Sequence, residues 1–379
     1  MRPARVVIAG GGFAALEVAL ALRALGDDRV ALTLVSPSSR FAYRPAATVG
    51  AFGDAAPVSY DLREIALDLS AAYHRGSVEA VAHQKHWLRL RSGARLDYDF
   101  LVLAVGARAR IAVPGAMTFR DQRDLARFRL LLEDLGAGGV RRLVFAVPSH
   151  SAWALPVYEL ALQSALHATR WSAATQITLV TPERAPLEVF GAPASRAVAD
   201  LLDERDVRFL GSSIPHGVAR DGSLELRFDA PVRADRVVAI PELHGQRITG
   251  VPGAWSGFTP TDSYGRVEGL SDVYAAGDMT SFPVKQGGLA AQQADLVAHT
   301  IATGLGAPVS EPHESRILRA RLLHGDGALV LRTELDALGR PTGSTIEHRE
   351  SRHDADLKVF GRYLTPYLSI YGSRRGAAA

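Results

Sequence analysis

The chain has 379 residues, a length that suits two or three domains rather than a single core. Its net charge of +3, with no basic stripe interleaved with aromatics, argues against nucleic acid as a partner. It has no cysteine, which excludes a redox disulfide, a thiolate metal site, a cysteine nucleophile and a disulfide framework.

The first segment reads RVVIAGGGFAALEVALALRALG. Val6 to Ala9 is a short apolar run of the buried parallel-strand kind. A glycine turn follows, then Leu16, Ala19, Leu20 and Leu22 to Leu25 at helical spacing, with Gly26 closing the helix. A second strand, Ala31 to Val35, stops at Ser36-Pro37. Strand, glycine turn, helix and strand make a right-handed βαβ unit. The start has no signal-peptide pattern and no run is long enough to span a bilayer, so the expected location is cytoplasmic.

The glycine turn, Gly10-Gly11-Gly12-Phe13-Ala14-Ala15, fits G-x-G-x-x-A. Gly10 permits the tight turn, Gly12 lets the backbone approach a pyrophosphate, and Ala15 keeps helix and sheet close. The helix N-terminus then offers unpaired N–H groups and a positive dipole end to phosphates. The place of the acidic residue that usually binds ribose is held by Ser36, whose hydroxyl makes fewer bonds than a carboxylate.

His83 and His86 lie in a stretch that reads as a hairpin, where a surface or packing role outweighs a metal. A buried strand, Phe100 to Ala104, then precedes the turn at Val105 and Gly106. Residues 142–147 start a second βαβ unit whose later strand is 177–183. LTLVSP at 32–37 echoes ITLVTP at 177–182, an internal repeat that predicts two related nucleotide-binding lobes. Residues 233–243 hold the position in the second lobe that 97–106 hold in the first.

At 272–302 come a strand, a glycine–acid turn and an amphipathic helix starting near Gly288. Asp278, after Gly277, would reach a ribityl hydroxyl, and the helix N-terminus would face the pyrimidine edge of a flavin. Beyond Pro308 the pattern is a hairpin turning near Gly339-Arg340-Pro341. The tail, LKVFGRYLTPYLSIYGSRR, groups Val359, Phe360, Tyr363, Leu364, Tyr367, Leu368 and Tyr371 on a broad face. Lys358, Arg362, Arg374 and Arg375 flank it and Pro366 interrupts it. Such a face suits peripheral membrane contact, packing on the first lobe, or a homodimer partner.

The chain resembles the pyridine nucleotide–disulfide oxidoreductase superfamily, and within it type II NADH dehydrogenases and sulfide:quinone oxidoreductases. The resemblance covers roughly residues 4–305 and rests on VVIAGGGFAALE, RFAYRPA at 40–46, YDFLVLAVGA at 98–107, and DVYAAGD followed by PVKQGGLAAQQA. It implies an α/β fold with two Rossmann-like dinucleotide-binding lobes. The FAD lobe would be discontinuous, 1–112 and 260–307, the second lobe would span 113–259, and 308–379 would form a small C-terminal region. It also implies noncovalent FAD on Gly10, Gly12, Phe13, Ala14 and Ala15, with Ser36 and the backbone of Val78 near the adenosine. Arg44, Pro45 and the segment Ala104, Val105 and Gly106 would line the cofactor. Gly277 and Asp278 would hold the ribityl chain, and Lys285, Gln286, Gly287 and Gly288 the pyrimidine end. Tyr43 would lie beside the isoalloxazine or pack in the core; Lys285 would act on the ring or sit in solvent. Glu159 in PVYELA would face the flavin and relay protons, or be an ordinary helix-surface glutamate.

The second lobe departs from these relatives. VFAVPSHSAWALPVYELALQ, 144–163, has no G-x-G-x-x-G, and Pro148 and Pro156 supply no N–H to phosphate. NAD(P)H binding is therefore doubtful, and without cysteine the flavin must be the redox centre. Two functions are expected. One is an FAD-dependent oxidoreductase passing electrons from a small-molecule donor, NAD(P)H by analogy, to a quinone or another small acceptor. The other is an FAD-binding protein whose second lobe serves partner binding or regulation.

Overall fold

A computed structural model describes residues 2–53, 58–254, 256–310, 314–325, 327–349 and 358–376, with the side chains of 348–349 and 372–376 excepted. The first sheet has five parallel strands in the order Val273–Ala275, Phe100–Leu103, Ala4–Ala9, Val30–Ser36 and Ala72–Arg75. Its central strand is covered on both faces, which is why Val6 to Ala9 is continuously apolar rather than alternating. The second sheet runs Met117–Thr118, Arg236–Ala239, Arg142–Ala146, Gln176–Val180 and Val207–Leu210, again parallel. Four strands of each sheet follow one another in the same spatial order. The repeat between 32–37 and 177–182 is thus structural: both segments are the second strand of their unit.

Helix Phe13–Gly26 crosses from the first strand to the second and packs along helix Gly287–Gly304. Small residues on both, among them Ala14, Ala15, Ala290 and Ala294, let the two approach closely and bring their N-termini together. Helix Phe13–Gly26 ends at the glycine expected to close it, though that glycine does not take the left-handed form. Gly26 is still right-handed at φ −99°, and the left-handed residue is Asp27 at φ 43°. His83 does lie in a hairpin connection, between strands Val78–Ala82 and Trp87–Leu90.

The predicted C-terminal hairpin pairs Ala328–Glu334 with Thr345–Arg349, and Ile317–Leu323 adds a third antiparallel strand. This sheet lies on helix Leu155–Arg170, with Gly325 against Leu166. Helix Leu364–Gly376 follows, and here Pro366 corrects the reading above. It stands in the first turn, where its missing N–H has no intrahelical partner to lose, so the helix is not interrupted. Val359, Leu364, Leu368 and Tyr371 are buried in the core of the first lobe, while Phe360 and Ile370 are exposed. Arg374 and Arg375 lie outside the residues whose side chains are described. No helix among the described residues is long and apolar enough to cross a membrane.

Candidate flavin site

The glycine turn leaves the first strand at Ala9. Gly10 has φ +148°, and a Cβ there would lie 2.1 Å from the Ala104 carbonyl oxygen, so only glycine fits. Gly12 differs: its φ is −104° and a Cβ would meet nothing within 4 Å. The residue is small where the protein has no packing need for it, which fits a place kept clear for a ligand. Helix Phe13–Gly26 starts there with no side-chain cap and no acidic residue in its first turn, so its N–H groups and dipole are available to an anion. Ala15 is fully buried behind the turn and Ala14 abuts Gly277.

Ser36 ends the second strand, 2% exposed. Its hydroxyl accepts from the Ser38 N–H at 3.3 Å and lies 2.6 Å from where a Gly11 Cβ would be. The hydroxyl therefore supports the turn, and its small size lets the glycine segment close. The Ser36 carbonyl accepts from Gly76 N–H at 2.9 Å, which brings Val78 at the start of its strand to the same corner. Ala104 to Gly106 continue the neighbouring strand. The Ala104 N–H donates to Ala9 at 2.7 Å, and Gly106 takes φ +69° with nothing near its Cβ position. Gln246 ties this turn down through the Val105 carbonyl at 2.7 Å.

Opposite lies the turn Gly277–Met279, whose Gly277 N–H donates to Gln293 at 2.8 Å. Asp278 is set in densely packed protein with part of its surface open. Desolvation pushes its carboxyl up, opposed by Lys285 and Arg44. Lys285 is only 6% exposed, donates to the Thr280 carbonyl and lies 4.0 Å over the Phe258 ring. Burial pulls its ammonium down to about 8, Asp278 acting against it. It is no solvated loop lysine. Arg44 is exposed and 3.8 Å from Asp121, and Pro45 shares its short 3-10 turn. Gln286 caps helix Gly287–Gly304 through the Leu289 N–H at 3.0 Å and holds the Arg319 carbonyl at 3.1 Å. Gly287 and Gly288 form the first turn of that helix.

Tyr43 is packed in the core beside the glycine turn. It is 3% exposed, its ring is edge-on to Phe13 at 5.5 Å, and its hydroxyl accepts from Val359 N–H at 2.9 Å. Burial raises its phenol well above the ordinary value.

Glu159 is not a surface glutamate. Helix Leu155–Arg170 begins four residues earlier, and Glu159 is 1% exposed. Lys358 donates to both its oxygens at 2.7 Å, Thr48 donates at 2.6 Å, and the Leu323 N–H donates at 3.1 Å. Sequence reasoning missed Lys358 and Thr48 because each lies in a segment whose place in space no local pattern reveals. It also missed Glu17, fully buried on the first helix, whose carboxylate accepts from Tyr363 and Leu364 N–H at 2.9 and 2.8 Å. A lone acid within the apolar run AALEVALAL was the available signal.

In the second lobe the turn before helix Leu155–Arg170 carries Trp153, whose ring lies 6.1 Å from that of Phe190. Glu183, just past the second strand, turns inward. It accepts from the Tyr158 hydroxyl at 2.7 Å and from Thr181 at 2.9 Å. Burial raises its carboxyl to about 7. The Glu183 carboxylate is thus engaged inside the lobe.

A family model described as pyridine nucleotide-disulphide oxidoreductase matches residues 4–300. A sulfide-quinone reductase of Aquifex aeolicus (strain VF5) is 26% identical over 220 residues, 55% of this chain and 50% of that protein. The match thus spans half the length of that relative. Among solved structures, the sulfide:quinone oxidoreductase from the hyperthermophilic bacterium Aquifex aeolicus superposes with a TM-score of 0.80 at 18% identity, over 97% of this chain and 90% of that one. A ferredoxin reductase from Rhodopseudomonas palustris gives 0.69 at 19% identity, over 87% and 82%. At these identities the structural likeness speaks for the fold.

Proposed function

Because the chain belongs to the pyridine nucleotide-disulphide oxidoreductase family, we propose that it is an FAD-dependent oxidoreductase. It takes electrons from a small-molecule donor and passes them to a quinone or another small acceptor. The observation that carries this reading is the glycine cradle at Gly12, where a Cβ would meet no protein atom within 4 Å. It lies at the N-terminus of helix Phe13–Gly26, which packs along helix Gly287–Gly304 behind the Gly277–Asp278 turn. The N–H groups after Gly12 would hold a pyrophosphate. Asp278 would accept from the ribityl hydroxyls, and Lys285 would place a cation near the pyrimidine edge. Bound FAD would supply the redox chemistry, since the chain has no cysteine to do so.

Glu159 and Lys358 form the proton-handling pair of this reading: a carboxylate and an ammonium in contact, buried between the lobes. Tyr43 orients the segment that carries Lys358 through the adjoining Val359 N–H rather than by exchanging a proton.

The inward Glu183 and the Trp153 turn favour a second lobe with weak NAD(P)H affinity, and hence a donor other than a nicotinamide. They equally motivate the second reading, a flavin protein whose second lobe has become a partner-binding or regulatory surface. Two measurements decide. Protein denatured by heat should release FAD into the supernatant, and FMN or no flavin there refutes the cofactor. Anaerobic titration with NADH and NADPH should bleach the flavin poorly; saturable reduction at micromolar concentrations would restore the nicotinamide as donor.

A further inference from the structure

The tail after residue 357 does more than cover apolar surface. Val359 sits where the two helix N-termini meet: a Cβ on Gly287 would lie 3.0 Å from both Val359 methyls and 3.4 Å from the Phe13 ring. Phe13 follows the Gly12 cradle directly, and Gly287 opens the helix behind the Gly277–Asp278 turn.

The strap is fixed at successive points along its length. Lys358 is bound by Glu159 of the second lobe and Thr48 of the first. The Val359 N–H is held by Tyr43, Arg362 lies 3.6 Å from Asp295, and the Tyr363 and Leu364 N–H groups are capped by Glu17. Tyr367 reaches Asp68 at 2.7 Å and Tyr371 reaches Glu64. A segment needed only to bury Leu364 and Leu368 would not require polar anchors from both lobes.

We propose that 358–371 is a latch that retains FAD, with Val359 as the tongue over the paired helix N-termini and Lys358 as the bolt into the second lobe. This rests on the reading that FAD lies along those N-termini. The latch is reciprocal: if strap closure favours FAD, bound FAD favours strap closure by the same factor.

The test uses the full chain loaded with FAD. Release after dilution is followed by the rise of free-flavin fluorescence for wild type, Val359→Ala and Lys358→Met. Amide hydrogen exchange of 358–371 is compared in apo and FAD-loaded wild type. About tenfold faster release in each variant is expected, within the range ordinary for coupled sites. The Val359, Tyr363 and Leu364 amides should exchange roughly tenfold more slowly when FAD is bound. Release within about twofold of wild type in both variants, or exchange indifferent to FAD, overturns the latch. Because the exchange comparison uses only wild type, it stands even where a variant misfolds. A wild-type chain that takes up no FAD would instead remove the functional reading beneath it.

Discussion

The ammonium of Lys358 contacts both carboxylate oxygens of Glu159, across 199 positions of sequence, with the two side chains 12% and 1% exposed. The pair joins the second lobe to the C-terminal strap, and Thr48 adds the first lobe to the same junction. Its energetic character follows from burial. Removing one partner leaves the other charged and out of water, a loss of about 3–5 kcal/mol, whereas replacing both by apolar groups is often neutral.

Glu159→Ala should therefore destabilise the chain by about 3 kcal/mol or more, and Glu159→Ala with Lys358→Met should recover much of that loss. Urea unfolding of the two single variants and the double variant gives the coupling energy. Additive losses would show that the pair is solvated in solution and that the lobes are not joined there. With an active donor, Glu159→Gln should keep FAD yet slow turnover and alter its pH profile. An unchanged profile would place proton handling elsewhere.

Gly10 and Gly12 are chemically identical and should fail differently. A Cβ on Gly10 meets the Ala104 carbonyl, so Gly10→Ala strains the turn and should lower the melting temperature with or without flavin. A Cβ on Gly12 meets no protein atom within 4 Å, so Gly12→Val should fold like wild type and lose flavin. Circular dichroism and the flavin absorbance of the purified variants separate the two. Full flavin in Gly12→Val would mean that the cradle faces something other than a pyrophosphate.

Glu183 supplies a pH signature. Its carboxyl is raised from 4.5 to about 7, chiefly by burial, with Tyr158 and Thr181 acting against the rise. Between those values the folded chain holds a proton that the unfolded chain has lost. Stability from this group is thus full below about 4.5 and falls as pH rises to about 7, by up to roughly 3 kcal/mol. Glu17, raised to about 6 by burial, adds a smaller slope of the same sign. Glu183→Gln should flatten the fall in urea stability between about pH 5 and pH 8. A slope equal to that of wild type would mean that Glu183 is solvated.

What could be read from the sequence was what local pattern controls. The apolar run at Val6 to Ala9, the glycine turn and the helical stripe after it are one contiguous βαβ unit, and the echo at 177–182 revealed the second. The alternation around Gly339 likewise gave the hairpin. The tail was legible as an amphipathic face but not as to its partner, because Val359 and Leu364 bury equally well against a membrane, a second copy or the first lobe. Glu159 was found, but its environment was not. Thr48, Leu323 and Lys358 come from three distant segments, and only the packed fold brings them together.

Lys285 offers the last prediction. It lies over Phe258 with Asp278 as its charged neighbour, and burial holds its ammonium near 8. A group depressed in this way costs the fold stability below its folded pKa, and stability rises as pH climbs from about 8 towards the unfolded value of 10.5. Lys285→Met removes that cost, so the apo chain should melt no lower than wild type near neutral pH. Cofactor binding should move the other way. An anionic dinucleotide beside Lys285 favours its protonated form, so FAD affinity in wild type should weaken as pH rises through about 8. The variant should bind FAD about tenfold more weakly at about pH 7 and show no such dependence up to about pH 9.5. Equilibrium titration of apo protein with FAD across this range, by quenching of flavin fluorescence, measures both effects. An affinity that falls identically in wild type and Lys285→Met would assign the titration to another group and place Lys285 away from the cofactor.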